Sequence, residues 1–139
     1  MGYDKEVEMI RVAHEHNLLT TPYVFNAEDA VQMTKAGADV LVAHMGLTTS
    51  GTIGAKTGSS LDECVKAIQE IRDAAVKVRE DIIVLCHGGP VAEEKDVEYV
   101  LARTKGIHGF FGASSMERLP VEIAIRDNMK GFKELKVGN

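Results

Sequence analysis

Two hydrophobic periods alternate along the chain. Short continuous apolar runs of strand length fall at Leu18–Phe25, Asp39–Met45, Ile82–His87 and within Gly106–Ser115. Between them, apolar residues recur three and four positions apart. The first such stretch is Tyr3–His16, where Val7, Ile10, Ala13 and His14 share a helical face, Asp4 is placed to cap and Asn17 to stop. Asn26 heads a helix over Ala27–Ala36, with Asp29 in a capping-box position and Gly37 as a left-handed end. Ser60 and Glu63 form the box of a long helix reaching about Arg79. Glu93–Thr104 carries Val97, Val100 and Leu101 on one face and ends at Gly106. Ser114–Arg118 reads as a short helical turn, and Pro120 opens a last helix to about Leu135. In the first strand Pro22 has no N–H to donate, so regular pairing is expected to end near Thr21.

A helix followed by four βα units predicts an α/β fold with a parallel sheet and right-handed crossovers. A doubly wound sheet usually has five strands and starts with one. A (β/α)8 barrel takes about 250 residues, so four units in 139 residues match half of one. The expectation is a single partial barrel domain over residues 1–139, with a compact open α/β sheet as the alternative. An open half would leave two sheet edges unpaired and expose Val40–Val42 and Ile83–Leu85 on its concave face. A homo-oligomer, most simply a twofold dimer, or a complementary half-barrel is expected to cover them.

Composition narrows the partners. The chain is 45% hydrophobic and 27% charged with a formal net charge of −5, and no Lys/Arg cluster interrupts that balance, which disfavours nucleic acid and anionic membranes. No apolar run is long enough to span a bilayer, and the first residues lack a signal-peptide core. The two cysteines lie far apart in apolar patterns, which fits a reducing cytoplasm better than a disulfide framework.

In parallel α/β folds ligands bind at the carboxyl ends of the strands. Those ends bring together Thr20–Tyr23, His44–Thr52, His87–Pro90 and Gly112–Arg118. His44 and His87 close two strands in matching contexts, V-A-H-M-G and L-C-H-G-G, and one could be a general acid or base while the other polarises a carbonyl. The plainer alternative is a pair of hydrogen-bonded structural histidines. Glu117 is a third catalytic candidate; otherwise it completes a box beneath a capping Ser114. Candidate anion ligands are the backbone at Gly46, Gly88, Gly89 and Gly112, the hydroxyls of Thr21, Ser114 and Ser115, and the guanidinium of Arg118. Thr52 and Lys56 would join them from a mobile lid, unless that loop is merely solvated.

Several readings are set aside. Cys86 points away from its neighbour His87 in a strand, which rules against a Cys–His nucleophile, and Cys64 reads as a buried helical residue. His14, His16 and His108 lack convergent partners. Gly51–Thr57 has Ser50 and Ala55 where a nucleotide P-loop needs glycines. Two histidines do not make a metal site. The cofactor is unknown at this level, with a divalent metal left open.

Five stretches stand in order: T-T-P-Y-V-F at Thr20–Phe25, A-G-A-D-V-L-V-A-H-M-G-L-T-T at Ala36–Thr49, G-T-I-G-A-K-T at Gly51–Thr57, V-L-C-H-G-G-P at Val84–Pro90 and H-G-F-F-G-A-S-S-M-E-R-L-P at His108–Pro120. Together they resemble the phosphoenolpyruvate hydrolase-like TIM-barrel family, which also occurs as the C-terminal barrel domain of larger two-domain proteins, including a plant antiviral resistance protein. The resemblance implies the C-terminal half of a (β/α)8 barrel with its mouth at these loops. It also implies a small phosphorylated or carboxylated ligand such as phosphoenolpyruvate. Hydrolase or lyase chemistry and a non-catalytic sensing, signal-transduction or scaffold role are the two functions it suggests. Half of the mouth lies outside this match, so turnover is expected to need the other half.

Overall fold

The computed structural model describes residues 2–56 and 58–136. The elements run α1 (Tyr3–Glu15), β1 (Tyr23–Val24), α2 (Ala27–Lys35), β2 (Val40–His44), α3 (Leu61–Val76), β3 (Ile83–His87), α4 (Glu94–Arg103), β4 (Gly109–Phe110), α5 (Ser114–Glu117) and α6 (Leu119–Lys133). The four strands form one parallel sheet in the order β1-β2-β3-β4. A doubly wound sheet would reverse its order at a switch point. Strands added one after another by right-handed crossovers put their helices on one side, and this is the winding of a barrel, of which the chain forms half.

Local chemistry explains the helix starts. The Asn26 side chain accepts the Asp29 N–H at 2.9 Å, and the Asp29 carboxylate accepts the Phe25 N–H at 3.1 Å. Ser60 and Glu63 make the reciprocal box expected of them. Gly37 takes φ +96°, where a Cβ would meet the His14 ring at 2.5 Å, so His14 serves packing. Three boundaries differ from the sequence reading. Gly2, not Asp4, is the N-cap of α1, and Asp4 sits in the first turn, where its charge still complements the helix dipole. Helix α3 stops at Val76, and Arg79 instead reaches back to donate to the Ala38 carbonyl at 2.6 Å. Ser114 does not cap α5; Ala113 holds that position and Ser114 is the first helical residue.

Pairing of β1 also runs past Pro22. The Thr20 carbonyl accepts the Val40 N–H at 3.1 Å, the Pro22 carbonyl accepts the Val42 N–H at 3.0 Å, and the ladder continues through Tyr23 and Val24. The proline removes one donor from the ladder but leaves its acceptor, and an edge strand tolerates that. The outer side of β1 is partly covered as well, because the Tyr3 hydroxyl donates to the Tyr23 carbonyl at 3.1 Å.

Alternation along the strands sorts the two faces. Leu41, Ala43, Val84 and Cys86 point to the helices and join Ala30, Met33, Cys64, Ile68, Ile71 and Val100 in the core. Each fully buried Leu, Ile, Val or Met stabilises the fold by roughly 1.5–3 kcal/mol. The opposite face carries Val40, Val42 and His44 beside Ile83, Leu85 and His87. It is less open than expected: Val42 is buried, while Ile83 is 41% exposed. The other extreme is α6, which packs on α5 and is exposed throughout beyond Glu122.

Candidate functional site

His44 and His87 lie directly opposite each other in the β2–β3 ladder. The pairing runs from Val40 opposite Ile83 to His44 opposite His87, so the two histidines close the ladder together. The rings stand 4.9 Å apart between centroids at 67°. The neighbouring strands supply walls. Tyr23 of β1 stacks parallel on His87 at 5.1 Å and meets His44 edge-on at 4.7 Å. Phe25, two residues on, lies 5.2 Å from His44, and Phe111 at the end of β4 lies edge-on to His87 at 5.8 Å. Period-2 alternation selects these rings: Tyr23 and Phe25 share a face, while Phe110 packs on the core and Phe111 turns to the site.

Hydrogen bonds fix opposite tautomers on the two histidines. His44 Nδ1 accepts the Gly46 N–H at 3.0 Å, so a neutral His44 carries its proton on Nε2. His87 Nδ1 lies 2.6 Å from the Phe111 carbonyl. A carbonyl can only accept, so His87 carries a proton on Nδ1, and in the neutral ring Nε2 offers the lone pair. Arg72 Nε is the single buried side-chain polar atom left without a partner among the described residues, so neither Nε2 is shut away from solvent or ligand. Desolvation, then the adjacent His87, lowers the pKa of His44 below the ordinary histidine value. It therefore stays neutral at pH 7 and acts as a hydrogen-bond donor.

The glycines hold the two loops together. Met45 N–H donates to the His87 carbonyl at 2.8 Å, Gly89 N–H to the Gly46 carbonyl at 2.7 Å and Thr49 N–H to the Gly89 carbonyl at 3.2 Å. Gly88 and Gly89 take φ +77° and +60°; a Cβ on Gly88 would sit 2.5 Å from the Gly46 oxygen, and one on Gly89 would run into the Met45 oxygen. Close approach of backbone to backbone is thus what Gly88 and Gly89 provide. The Gly89 N–H is engaged, and Gly88 is paired with Val91 in an isolated antiparallel bridge, the Val91 N–H donating to the Gly88 carbonyl at 3.2 Å.

The second cluster forms at the start of α6. Arg118 pairs with Glu122 at 2.6 Å and donates to the Ser50 carbonyl at 3.0 Å, while Glu122 accepts the Thr52 N–H at 2.9 Å. The Thr52 N–H, then Arg118, hold the Glu122 carboxyl below its ordinary pKa. These bonds strap the loop after β2 to α6. Sequence reading missed Glu122, although its i,i+4 spacing from Arg118 was a usable signal. It also missed Phe25 and Phe111 as walls, and it named Tyr23 only within a loop.

The structure therefore joins His44, His87, Gly46, Gly88 and Gly89 in one place and Thr52 and Arg118 in another. Gly112, between β4 and α5, and Ser114 and Ser115, the first two residues of α5, are half-buried. Thr21, Lys56 and Glu117 are exposed, and among the described residues none of the three bonds to either histidine. Thr57 of the Gly51–Thr57 stretch lies outside the described residues. His108 Nδ1 accepts the Val84 N–H at 3.1 Å. Cys64 and Cys86 are free and buried, and burial pushes both thiols up to about 11. Among the described residues no group of three or more His, Cys, Asp or Glu could hold a metal ion, and no helix is long and apolar enough to cross a membrane.

Comparison with known proteins gives the family. Two tomato (Solanum lycopersicum) proteins, the ToMV susceptible protein tm-1(GCR26) and the ToMV resistance protein Tm-1(GCR237), are each 58% identical over 137 residues. The match takes in 99% of this chain and 18% of each of theirs, so the chain spans about a fifth of the length of these relatives. Among solved structures, the Amycolatopsis orientalis BexX/CysO complex contains a chain of which this one covers 54%, with 99% of the present chain aligned, a TM-score of 0.53 and 12% identity, a likeness of fold alone. Residues 1–135 match the family described as Phosphoenolpyruvate hydrolase-like. The chain belongs to the phosphoenolpyruvate hydrolase-like family.

Proposed function

We propose that this half-barrel contributes the His44–His87 side of a mouth that binds a small carboxylated or phosphorylated metabolite with a carbonyl or enol oxygen. The observation that carries the reading is the opposed tautomers of two adjacent imidazoles. His44 Nε2–H donates to the ligand oxygen, and His87 Nε2 accepts a proton from the neighbouring carbon or hydroxyl. In that step the C–H pair moves into the carbon skeleton, the oxygen gains enolate character against His44, and the proton ends on His87. Tyr23, Phe25 and Phe111 keep bulk water from the rings. The Ser114 and Ser115 hydroxyls are the donors for the anionic end. Arg118 contributes there only when its bond to Glu122 opens. Four further strands complete the mouth, and a reducing, cytoplasmic setting suits the two free cysteines.

Titration with phosphoenolpyruvate, pyruvate and inorganic phosphate, followed by the imidazole NMR signals, tests this. Shifts at both histidines with the two carboxylates, lost in His87→Ala, are expected. No shift at either ring with any of the three at millimolar concentration overturns it. A second reading, a sensing or scaffold barrel without turnover, draws on relatives whose names refer to virus susceptibility and resistance. It predicts the same shifts and no product once the mouth is complete.

A further inference from the structure

A single hydrogen bond leaves the His87 ring a freedom that packing removes. The χ2 torsion of a histidine is soft and roughly two-fold. The contact of Nδ1 with the Phe111 carbonyl at 2.6 Å fixes which edge of the ring faces that carbonyl, but not the tilt of its plane. The aromatic neighbours bear on that plane differently. His44 and Phe111 meet the ring edge-on, at 67° and 79°. Among the described aromatic residues around His87, only Tyr23 lies parallel to it, at 7° and 5.1 Å. Tyr23 belongs to β1, two strands away. It pairs with Val42 of β2, and its ring reaches across β2 to the end of β3. It also meets His44 edge-on at 4.7 Å, so one side chain bears on both imidazoles. The Tyr23 backbone is held on two sides, by the ladder to Val42 and by the Tyr3 hydroxyl, which donates to the Tyr23 carbonyl at 3.1 Å. Burial, then Asp29 and Glu6, raise the Tyr3 hydroxyl above the ordinary tyrosine value, so it remains a donor.

We propose that Tyr23 is a positioning residue for the histidine pair, its ring face setting the plane of His87 and so the direction in which Nε2 points. Stacked and edge-to-face contacts are favourable beyond the area they bury. A functional side chain keeps a narrow range of angles only when packing locks its rotamer as well as a hydrogen bond. The Phe111 carbonyl supplies the bond and Tyr23 supplies the packing. This task differs from walling the site against water. Phe25 bears on His44, and Phe111 meets His87 only on edge. The consequence for a ligand rests on the reading of His87 Nε2 as a proton acceptor. The orientation of the ring does not, so the two claims can fail separately.

NMR of the 139-residue chain tests it. In the wild type, the Tyr23 ring protons should show cross-relaxation with the carbon-bound ring protons of His87. Tyr23 is 38% exposed, so the ring can be removed without opening the core. Tyr23→Leu should speed solvent exchange of the His87 Nδ1 proton by about 2–10-fold, while the Val42, Ala43 and Cys86 amides keep their wild-type protection. Tyr23→Val, a better strand former, should give the same result. Tyr23→Phe keeps the face, drops the hydroxyl and should restore wild-type exchange. Titration of the same proteins with pyruvate separates the two claims. Half-saturation of the His87 signals should rise by about the same factor in Tyr23→Leu and return in Tyr23→Phe. A wild type that does not respond to pyruvate defeats the ligand reading, and the exchange comparison then decides on Tyr23. Absent cross-relaxation in the wild type, or unchanged Nδ1 exchange in Tyr23→Leu and Tyr23→Val, overturns the proposal. So does a Tyr23→Phe that behaves as Tyr23→Leu, which would assign the effect to the hydroxyl.

Discussion

At the ends of β2 and β3 two histidines meet because a parallel ladder carries them into register. At the start of α6 an arginine and a glutamate meet because a helix puts residues four apart on one face, and together they hold a loop 70 residues away in sequence. The first corner engages each Nδ1 and leaves each Nε2 open. The second uses its charges on one another and on the Ser50 and Thr52 backbone. Both corners carry the residue types of a binding site. The difference is which atoms remain after the fold has taken its share, and by that criterion chemistry belongs to the histidine corner and fastening to the arginine corner.

The sharpest way to break this comparison is to remove the imidazoles. His44→Ala or His87→Ala should reduce any turnover by about 10²–10⁴-fold, while Arg118→Ala, measured in the same kinetics, should act mainly through loop closure. Equal losses in all three would erase the distinction. Next in size is the backbone that seats the histidines. Gly89→Ala forces a side chain into a left-handed conformation against the Met45 oxygen and should lower stability by about 1–3 kcal/mol in urea denaturation. Gly131→Ala is the contrast: it lies inside α6 with open space around it and should gain roughly 0.5–1 kcal/mol. The smallest effect concerns the strap. Arg118→Ala should speed amide exchange at Thr52 and leave the Gly46 and Gly89 amides as protected as before; matched acceleration at Gly89 would show that the two corners open together.

Much of this was legible in the residues. Four apolar runs, the Asn26 and Ser60 caps and the matching V-A-H-M-G and L-C-H-G-G endings give the strand count, the winding and the histidine pair. What could not be read depends on facts beyond spacing. Which of Phe110 and Phe111 faces the site follows from the β3–β4 register, and G-F-F-G does not reveal it. Pro22 suggested an early end to β1, because the missing donor is visible in sequence and the retained acceptor is not. Arg118 looked available for an anion, since its partners include a loop carbonyl brought back by tertiary folding. Helix α6 has the composition of any amphipathic helix, and only its exposure sets it apart.

The opposed tautomers are the claim on which the chemistry rests, and long-range ¹H–¹⁵N correlation of the two imidazoles reads them directly. At pH 7 the account predicts a neutral His44 protonated on Nε2 and a His87 whose Nδ1 carries a proton. On acidification His44 should gain its second proton only below the ordinary histidine value, because its folded-state pKa is lowered. The unfolded chain binds that proton first, so stability should fall as pH drops from about 6.5 toward the lowered value. Rings that share one tautomer, or a His44 already charged at pH 7, would contradict the donor–acceptor pair.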